Sequence, residues 1–391
     1  MLGDTYDVVV VGAGPSGSMA AKIAAELGSK VLVLEKKRAI GAPVSCAEGV
    51  SKPTFDSILE PRNAWIASEV KGAIVTVPSG RSCRIEHPDA GYILERKIFD
   101  RDLAVLAAGA GAEVYTDTEV TGLIKDETGV RGVETLRRGK RGRVRAGVVI
   151  GADGVNSRVG IWGGVSVRLS PDQFHACAEY LLGNIEVTSG YTEFIAGNDI
   201  APGGYAWVFP KSRDTANVGL GVSPHIARRK PFEYLDDLVL KKYPNASILE
   251  TMSGSVPTSP SDTLVSDGLM LVGDAARVAD PITGGGIANG LFSAIMAAKV
   301  AAECCGRGDT TRAALSAYER EWLRTHGREL KYRALAREIY LKLTDDDFEK
   351  IFDFVRKYFD GKVITEFRPR QLVVPLVKSS ARFLSLARHL I

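Results

Sequence analysis

The sequence predicts an α/β chain (α+β overall): a first domain around a central parallel sheet, a second domain with a large antiparallel sheet, and a helical C-terminal region. Three observations carry this. Over residues 6–34 a β-branched run, a glycine-rich turn, an Ala-rich segment and a second apolar run make a complete β-turn-α-turn-β unit. Over residues 170–260 apolar runs alternate with turn residues, the pattern of an antiparallel sheet. At Leu269–Val272 a buried-strand pattern returns and leads into a long Ala-rich helix from about Ile287, so the first domain is assembled from non-contiguous pieces.

Asp7–Val11 is short and β-branched, suited to a strand buried on both faces. Met19–Leu27 is helix-prone and Gly28 can stop it; Lys30–Leu34 is the second strand, ending at Glu35. Residues 36–60 read as irregular, Val70–Tyr92 as strand broken at Pro78-Ser-Gly80, and Glu95–Gly109 as helix. Strand-like segments near 113–121, 129–137 and 143–151 predict an antiparallel meander. Second-domain strands are expected around His175–Leu182, Gly190–Ala196, Tyr205–Phe209 and Ala216–Val222. In Thr344–Phe359, Thr344 can cap a helix and Asp345, Asp346 and Asp347 suit its positive end, while Phe348, Ile351, Phe352, Val355 and Phe359 share one face. The resulting boundaries are 1–70, 94–168 and 262–306 for the first domain, 71–93 and 169–261 for the second, and 307–391 for the helical region.

Composition excludes some classes. With 50 basic against 47 acidic side chains the net charge is +3, too small to point to nucleic acid. The five cysteines are odd in number and form no CxxC, so a reduced, cytoplasmic protein is expected; no residue cluster has metal-ligand spacing, and no metal is expected. The strand-like run at Tyr6–Val11 leaves no room for a signal peptide. Asn289, Lys299 and Glu303 interrupt the longest small, apolar stretch, Ile287–Cys305, which argues against a spanning helix and makes any membrane contact peripheral.

Three motifs carry chemistry. In Gly12-Ala-Gly14-Pro-Ser16-Gly17 the first glycine permits a sharp turn, the second lets backbone approach a pyrophosphate, and the third lets the helix pack close to the strand. Glu35 sits where a carboxylate accepts hydrogen bonds from an adenosine ribose and would repel a 2′-phosphate, so FAD or NAD suits this site better than NADP. Val149-Ile-Gly-Ala-Asp153-Gly154, followed by Ser157 and Arg158, is a strand running into a charged turn, weak when taken alone. Leu269-Met-Leu-Val-Gly-Asp274 delivers a carboxylate to a cleft, where it can bond a polyol. The run Gly284-Gly285-Gly286-Ile287 then lets backbone approach a flat ring, and the following helix N-terminus favours a reduced, anionic one.

Together, in this order, the three motifs resemble the p-hydroxybenzoate hydroxylase-like FAD superfamily over about residues 1–300. The resemblance implies a Rossmann-like FAD-binding domain with the Gly12 motif, including Ser16, on the ADP half, Asp274 on the ribityl chain, and Gly285, Gly286 and Ile287 against the isoalloxazine. It also implies that Arg96 touches FAD and that the backbone of Val120 meets the adenine. Pro202-Gly-Gly-Tyr205-Ala-Trp207-Val-Phe209-Pro210 is similar, at every fixed position, to the P-x-x-Y-x-W-x-F-P signature of geranylgeranyl reductases. Cys46-Ala47-Glu-Gly49 is similar to the C-x-x-G loop of the same family, which implies that Cys46, Ala47 and Gly49 lie by the flavin. Tyr205, Trp207 and Phe209 alternate along one strand and line one face, a wall for a polyene chain or equally a core face on spacing alone; Cys46 likewise reads as a catalytic thiol or as a small buried hydrophobe.

The resemblance implies FAD-dependent saturation of isoprenoid C=C bonds in geranylgeranyl ether lipids, a step of membrane lipid biosynthesis. An isolated trisubstituted alkene is not electrophilic. Hydride delivery must therefore be coupled to protonation through a carbon of tertiary cation character, in a dry, aromatic-lined site. A nearby acid or a flavin-side water supplies the proton, and Cys46 is the best candidate in the sequence for tuning or proton delivery. One dinucleotide motif is present, so NAD(P)H would visit transiently as electron donor, or reduced ferredoxin would serve. In residues 361–391, Lys362, Arg368, Arg370, Lys378, Arg382 and Arg388 against Glu366 make a basic segment that suits a membrane surface, a phosphate head group or a solvated helix face. The rival readings are an aromatic hydroxylase or halogenase on the same fold, and a non-catalytic electron-transfer flavoprotein.

Overall fold

Four consecutive valines, Val8 to Val11, open the chain as strand β1 (Thr5–Val11), since β-branched side chains suit a pleated strand enclosed on both faces. In the computed structural model, which describes residues 3–166, 168–360 and 362–363, helix α1 (Pro15–Glu26) and β2 (Val31–Leu34) follow. Next come β3 (Gly49–Val50), α2 (Lys52–Asp56), β4 (Ile66–Thr76) and β5 (Ser82–Leu94). Helix α3 (Arg96–Gly109), β6 (Glu113–Tyr115), β7 (Thr118–Asp126), β8 (Gly129–Arg137), β9 (Lys140–Gly151) and α4 (Arg158–Gly163) continue the chain. The next run is β10 (Phe174–Gly183), β11 (Tyr191–Ile195), β12 (Tyr205–Pro210), β13 (Thr215–Val222), α5 (Pro231–Lys242) and β14 (Ser247–Pro257). The described chain closes with β15 (Val265–Ser266), β16 (Leu269–Leu271), α6 (Ile287–Arg307), α7 (Arg312–Trp322), α8 (Arg328–Tyr340) and α9 (Asp345–Phe359).

These elements form two units: residues 3–44, 96–173 and 256–332, and residues 45–95, 174–255 and 333 onward. In the first unit the sheet order is β15-β16-β9-β1-β2-β6, with β7 and β8 branching from β9. Strand β9 serves three partners: Arg145 to Gly151 run parallel to β1, Val149 to Gly151 run parallel to β16 on the other edge, and Lys140 to Arg145 pair antiparallel with β8. The expected meander is therefore β7-β8-β9, but its first segment is split. Asp117, at φ 52°, turns the chain, so β6 joins β2 in parallel before β7 begins. Helix α6 is long and apolar enough to cross a membrane by length and composition, yet Leu291, Ala294, Ala297, Ala298, Ala301 and Cys304 are buried in this unit.

The second unit is a sheet of order β14-β10-β13-β12-β11-β4-β5-β3, in which β11 and β4 are parallel while β10, β13, β12 and β11 pair antiparallel. Alternation sorts its side chains: Ala178, Tyr180, Val208, Val218 and Leu220 pack with Leu235 of α5 on one face, and Trp207 and Phe209 with Cys177 and Tyr205 on the other. Helix α9 joins this unit. Its Thr344 capping box is complete, Phe352 packs on Val77 and Cys83, and Arg81 pairs with Glu349 and, at 2.6 Å, with Asp353.

Two boundaries differ from the sequence expectation. Residues 45–70 belong to the second unit because β3 pairs with β5 and Ile66 to Val70 begin β4. The helical region 307–391 is not separate: Tyr318 of α7 donates to the Leu271 carbonyl at 2.9 Å in the first unit, whereas α9 packs in the second. The basic segment 361–391 lies outside the described residues except for Lys362 and Val363. Replacing Thr344→Ala removes the acceptor for Asp347 N–H and is expected to cost about 1 kcal/mol, read as a lowered urea midpoint with unchanged slope.

Candidate active site

The first unit holds the glycine motif as the sequence requires. Gly12 has φ 103°, and a Cβ there would lie 2.4 Å from the Ala152 carbonyl oxygen; a Cβ on Gly17 would lie 1.9 Å from that of Gly12. Around Gly14, by contrast, a Cβ would meet nothing within 4 Å. Gly14 is the N-cap of α1, whose first turn has no side-chain cap and no acid, so its N–H groups and dipole face that opening. Glu35, 8% exposed, accepts from Ala13 N–H at 2.9 Å through Oε2 and from Lys37 N–H at 2.8 Å through Oε1. Each oxygen keeps a lone pair for a ribose hydroxyl. The Ser16 hydroxyl packs instead toward Gly273 and Gly290, 2.5 Å from where a Cβ on either would stand. Val120 is buried on β7 beside a bulge that breaks the ladder before Gly122.

Asp274 lies on a short 3-10 turn after β16, and the Gly284–Gly286 run passes against it: a Cβ on Gly286 would be 3.3 Å from its Oδ1. Burial pushes its carboxyl up to about 6, against the pull of the Arg96 guanidinium. Arg96 itself is held in a bidentate pair by Asp100, at 2.6 and 2.8 Å. Gly286 caps α6, again with no side-chain cap and no acid in the first turn, and Gly285 is exposed there. Asp153 accepts from Val159 N–H at 2.9 Å through Oδ2, while its buried Oδ1 has no partner among the described residues. An open phosphate cradle, a ribose carboxylate with spare acceptors and a second uncapped helix start fit a dinucleotide of the FAD type.

In the second unit the two family motifs meet. The stretch Ser45–Gly49 is a strap laid across the aromatic face. Ser45 is 3.3 Å from a Cβ position on Gly254, the Ala47 carbonyl accepts from Asn217 Nδ2 at 3.4 Å, and a Cβ on Gly49 would be 2.8 Å from Phe209. Glu48, at φ 71° and 5% exposed, pins the strap. Its Oε2 accepts from Asn217 at 2.7 Å and pairs with Lys211, which also reaches Glu95 at 3.1 Å and donates to the Leu94 carbonyl at 2.9 Å. The Glu48 N–H donates to Cys46 Sγ at 3.3 Å, fixing the thiol, which stays partly exposed.

Beneath the strap the aromatic row is an edge-to-face array: Phe194 stands 5.6 Å from Tyr205 and 5.5 Å from Phe209, and Tyr205 stands 5.9 Å from Trp207. Trp207 and Phe209 are 7% and 8% exposed, so much of the row is already covered inside this unit. The Trp207 indole lies across Gly219, where a Cβ would be 2.6 Å from its ring, and donates to Glu179 Oε2 at 2.8 Å. Glu179 is buried, and burial, helped by the charge of Glu48, pushes its carboxyl up to about 8. The Pro210 carbonyl accepts from Ser68 Oγ at 2.5 Å. Before β12, His175 bonds the Gly203 carbonyl at 3.0 Å and Tyr340 donates to that of Gly204 at 2.6 Å; burial, then the Arg337 charge, keeps His175 neutral by lowering it to about 4. Sequence spacing singled out none of Glu48, Lys211, Asn217, His175 or Glu179, because their roles come from cross-strand pairing.

Comparison with known proteins identifies the class. The family model for the geranylgeranyl reductase catalytic domain matches residues 173–256, and that for FAD-dependent oxidoreductases matches residues 7–201. A digeranylgeranylglycerophospholipid reductase of Methanothrix thermoacetophila is 43% identical over 98% of this chain and 99% of its own. Digeranylgeranylglycerophospholipid reductase 1 of Methanococcoides burtonii is 44% identical over 89% of this chain and 87% of its own. The crystal structure of a geranylgeranyl bacteriochlorophyll reductase-like protein from Thermoplasma acidophilum superposes with a TM-score of 0.92 at 36% identity, covering 99% of this chain and 100% of that one. A triple mutant of the flavin-dependent brominase Bmp2, at 20% identity and a TM-score of 0.74, covering 98% of each chain, shares the fold alone. The protein is an FAD-dependent oxidoreductase. Within that class it belongs to the geranylgeranyl reductase family.

Three outcomes follow from this geometry. Gly14→Ala is expected to leave the stability of the apoprotein within about 0.5 kcal/mol but weaken FAD binding, because the new methyl fills the phosphate opening, whereas Gly17→Ala should not fold; denaturation and FAD titration separate the two. Asp274→Ala is expected to lose about 1.5–3 kcal/mol of FAD affinity, seen as FAD lost on desalting. Glu179 lies above its ordinary 4.5 in the folded state, so its stabilising contribution is complete below that value and is lost as pH rises through about 8. The melting temperature of Glu179→Gln should therefore gain on wild type between pH 5 and pH 9.

Proposed function

We propose that this protein saturates the geranylgeranyl chains of digeranylgeranylglycerophospholipid, producing a phytanyl, archaeol-type lipid for the membrane. The observation that carries the reading is the strap Ser45–Gly49 lying on the Tyr205-Trp207-Phe209 row, which joins both family signatures in one unit. Relatives of this name match along almost the whole chain. FAD held by the residues of the first unit would, once reduced, supply the hydride.

The chain's own residues do the rest. Gly12, Gly14 and Gly17, with the backbone N–H of Ser16 in the first turn of α1, receive the pyrophosphate, Glu35 the ribose, Val120 the adenine edge, and Asp274 with Arg96 the ribityl region, while Gly285, Gly286 and Ile287 face the ring. Cys46, Ala47 and Gly49 are the strap residues that the family's C-x-x-G pattern assigns to the flavin. Tyr205, Trp207, Phe209 and Pro210 line the path of the polyene; aromatic faces tolerate the positive charge that grows on a tertiary carbon and exclude the water that would trap it. Cys46, held by Glu48 N–H, tunes or delivers the proton. Electrons come from NAD(P)H or reduced ferredoxin. The enzyme works in the cytoplasm, in peripheral contact with the membrane that holds its substrate.

Anaerobic incubation of the reduced protein with geranylgeranyl phospholipid is expected to add two hydrogens per bond by mass spectrometry. Oxygen-dependent hydroxylated or halogenated product instead would overturn the reading. Cys46→Ser is expected to slow single-turnover saturation by roughly 10²–10⁴-fold; an unchanged rate removes Cys46 from the chemistry.

A further inference from the structure

Saturating an alkene consumes one proton per hydride, and the face under the strap holds an acid that the reading above leaves without a task. Glu179 stands on β10, in register with Gly219 of β13 and, through it, with Trp207 of β12. Its Oε2 is taken by the Trp207 indole, while its Oε1 is enclosed and has no hydrogen-bond partner among the described residues. A buried carboxylate with an unmet oxygen is costly, and the neutral acid carries on that oxygen a proton that no acceptor among the described residues takes. The charged and titratable groups around it are Cys177 on its own strand, which in turn faces Cys46 of the strap, Glu48 of the strap, Lys211 beyond β12, and Glu250 of β14.

We propose that Glu179 is the proton store of the saturation reaction, a role that rests on the reductase reading and leaves Cys46 to tune the site rather than to deliver the proton. The double bond's π pair takes the Oε1 proton to form one C–H bond, and the cationic carbon so created takes the hydride to form the other. Glu179 is left as a carboxylate. The Trp207 N–H and the Lys211 charge hold that anion, the negative charges of Glu48 and Glu250 favour its recharging, and a proton from water restores it. The burial that already pushes this acid up to about 8 keeps it loaded at neutral pH.

The test uses the FAD-loaded protein and Glu179→Gln, which keeps an acceptor for the indole and removes the proton. Infrared spectra at pH 6 should contain a carboxylic-acid carbonyl band in wild type that is missing in the variant and fades in wild type as pH rises through about 8. Trp207→Phe should move that fading to higher pH. Single-turnover saturation should fall roughly 10²–10⁴-fold in Glu179→Gln at equal FAD content and unchanged secondary structure, and in wild type it should decline with the same pH midpoint as the band. Wild-type speed in Glu179→Gln, or no acid band at pH 6, overturns the proposal while leaving the reductase reading intact. If wild type itself leaves the lipid unsaturated, the reductase reading fails and takes this role with it, even where the band is present.

Discussion

Glu48 is an enclosed carboxylate, and the position of the strap depends on it. Asn217 and Lys211 meet the same oxygen, and Lys211 is itself fastened to Glu95 and the Leu94 carbonyl, so β12, β13, β5 and the strap share one charge network. Removing one partner of a buried pair typically costs about 3–5 kcal/mol, because the other charge is left stranded in a place without water. The energy is therefore concentrated where it fixes geometry: the Cys46 thiol is held by the N–H of the residue whose side chain anchors the loop. Glu48 takes a left-handed backbone conformation to do this, a local strain that the ion pair offsets.

The glycines of the second unit explain how an aromatic row and a carboxylic acid share one face. β13 alternates Asn217, Gly219 and Gly221 on that side, and the missing side chain at Gly219 is the space the indole occupies on its way to Glu179. A large ring has crossed a strand rather than stacking on its neighbour, which couples the wall of the site to the titration of one buried group. The first unit uses glycine differently. Gly12 and Gly17 permit close backbone contact, while Gly14 leaves an opening at a helix start.

Much of this was legible in the sequence, for reasons particular to each element. The β1-α1-β2 unit is local, so Val8 to Val11, Gly12-x-Gly14-x-x-Gly17 and Glu35 could be read from spacing. Thr344 and the apolar face of α9 were readable for the same reason, since capping and helical periodicity act over a few residues. The aromatic alternation on β12 was visible, but its neighbours were not. Glu179 and Trp207 are 28 residues apart, and Glu48 and Lys211 are 163 apart, and no periodicity encodes such pairs. The boundary at residues 45–70 was misread because β3 is two residues long and depends on β5 for its existence.

Each unit is drawn from three stretches of chain, and this bears on how the protein is born. β1 has β2 on one edge but waits for Arg145–Gly151 of β9 on the other, and β9 in turn waits for Leu269–Leu271, so the first sheet is complete only when β16 has left the ribosome. At roughly 5–20 residues per second the wait for β9 alone is on the order of ten seconds, with the run Val8 to Val11 unpaired along one edge. Nascent-chain chaperones, rather than early domain-by-domain folding, are then the natural guardians of this polypeptide, and shortening it before α6 would leave a ribbon prone to clumping rather than a smaller working half.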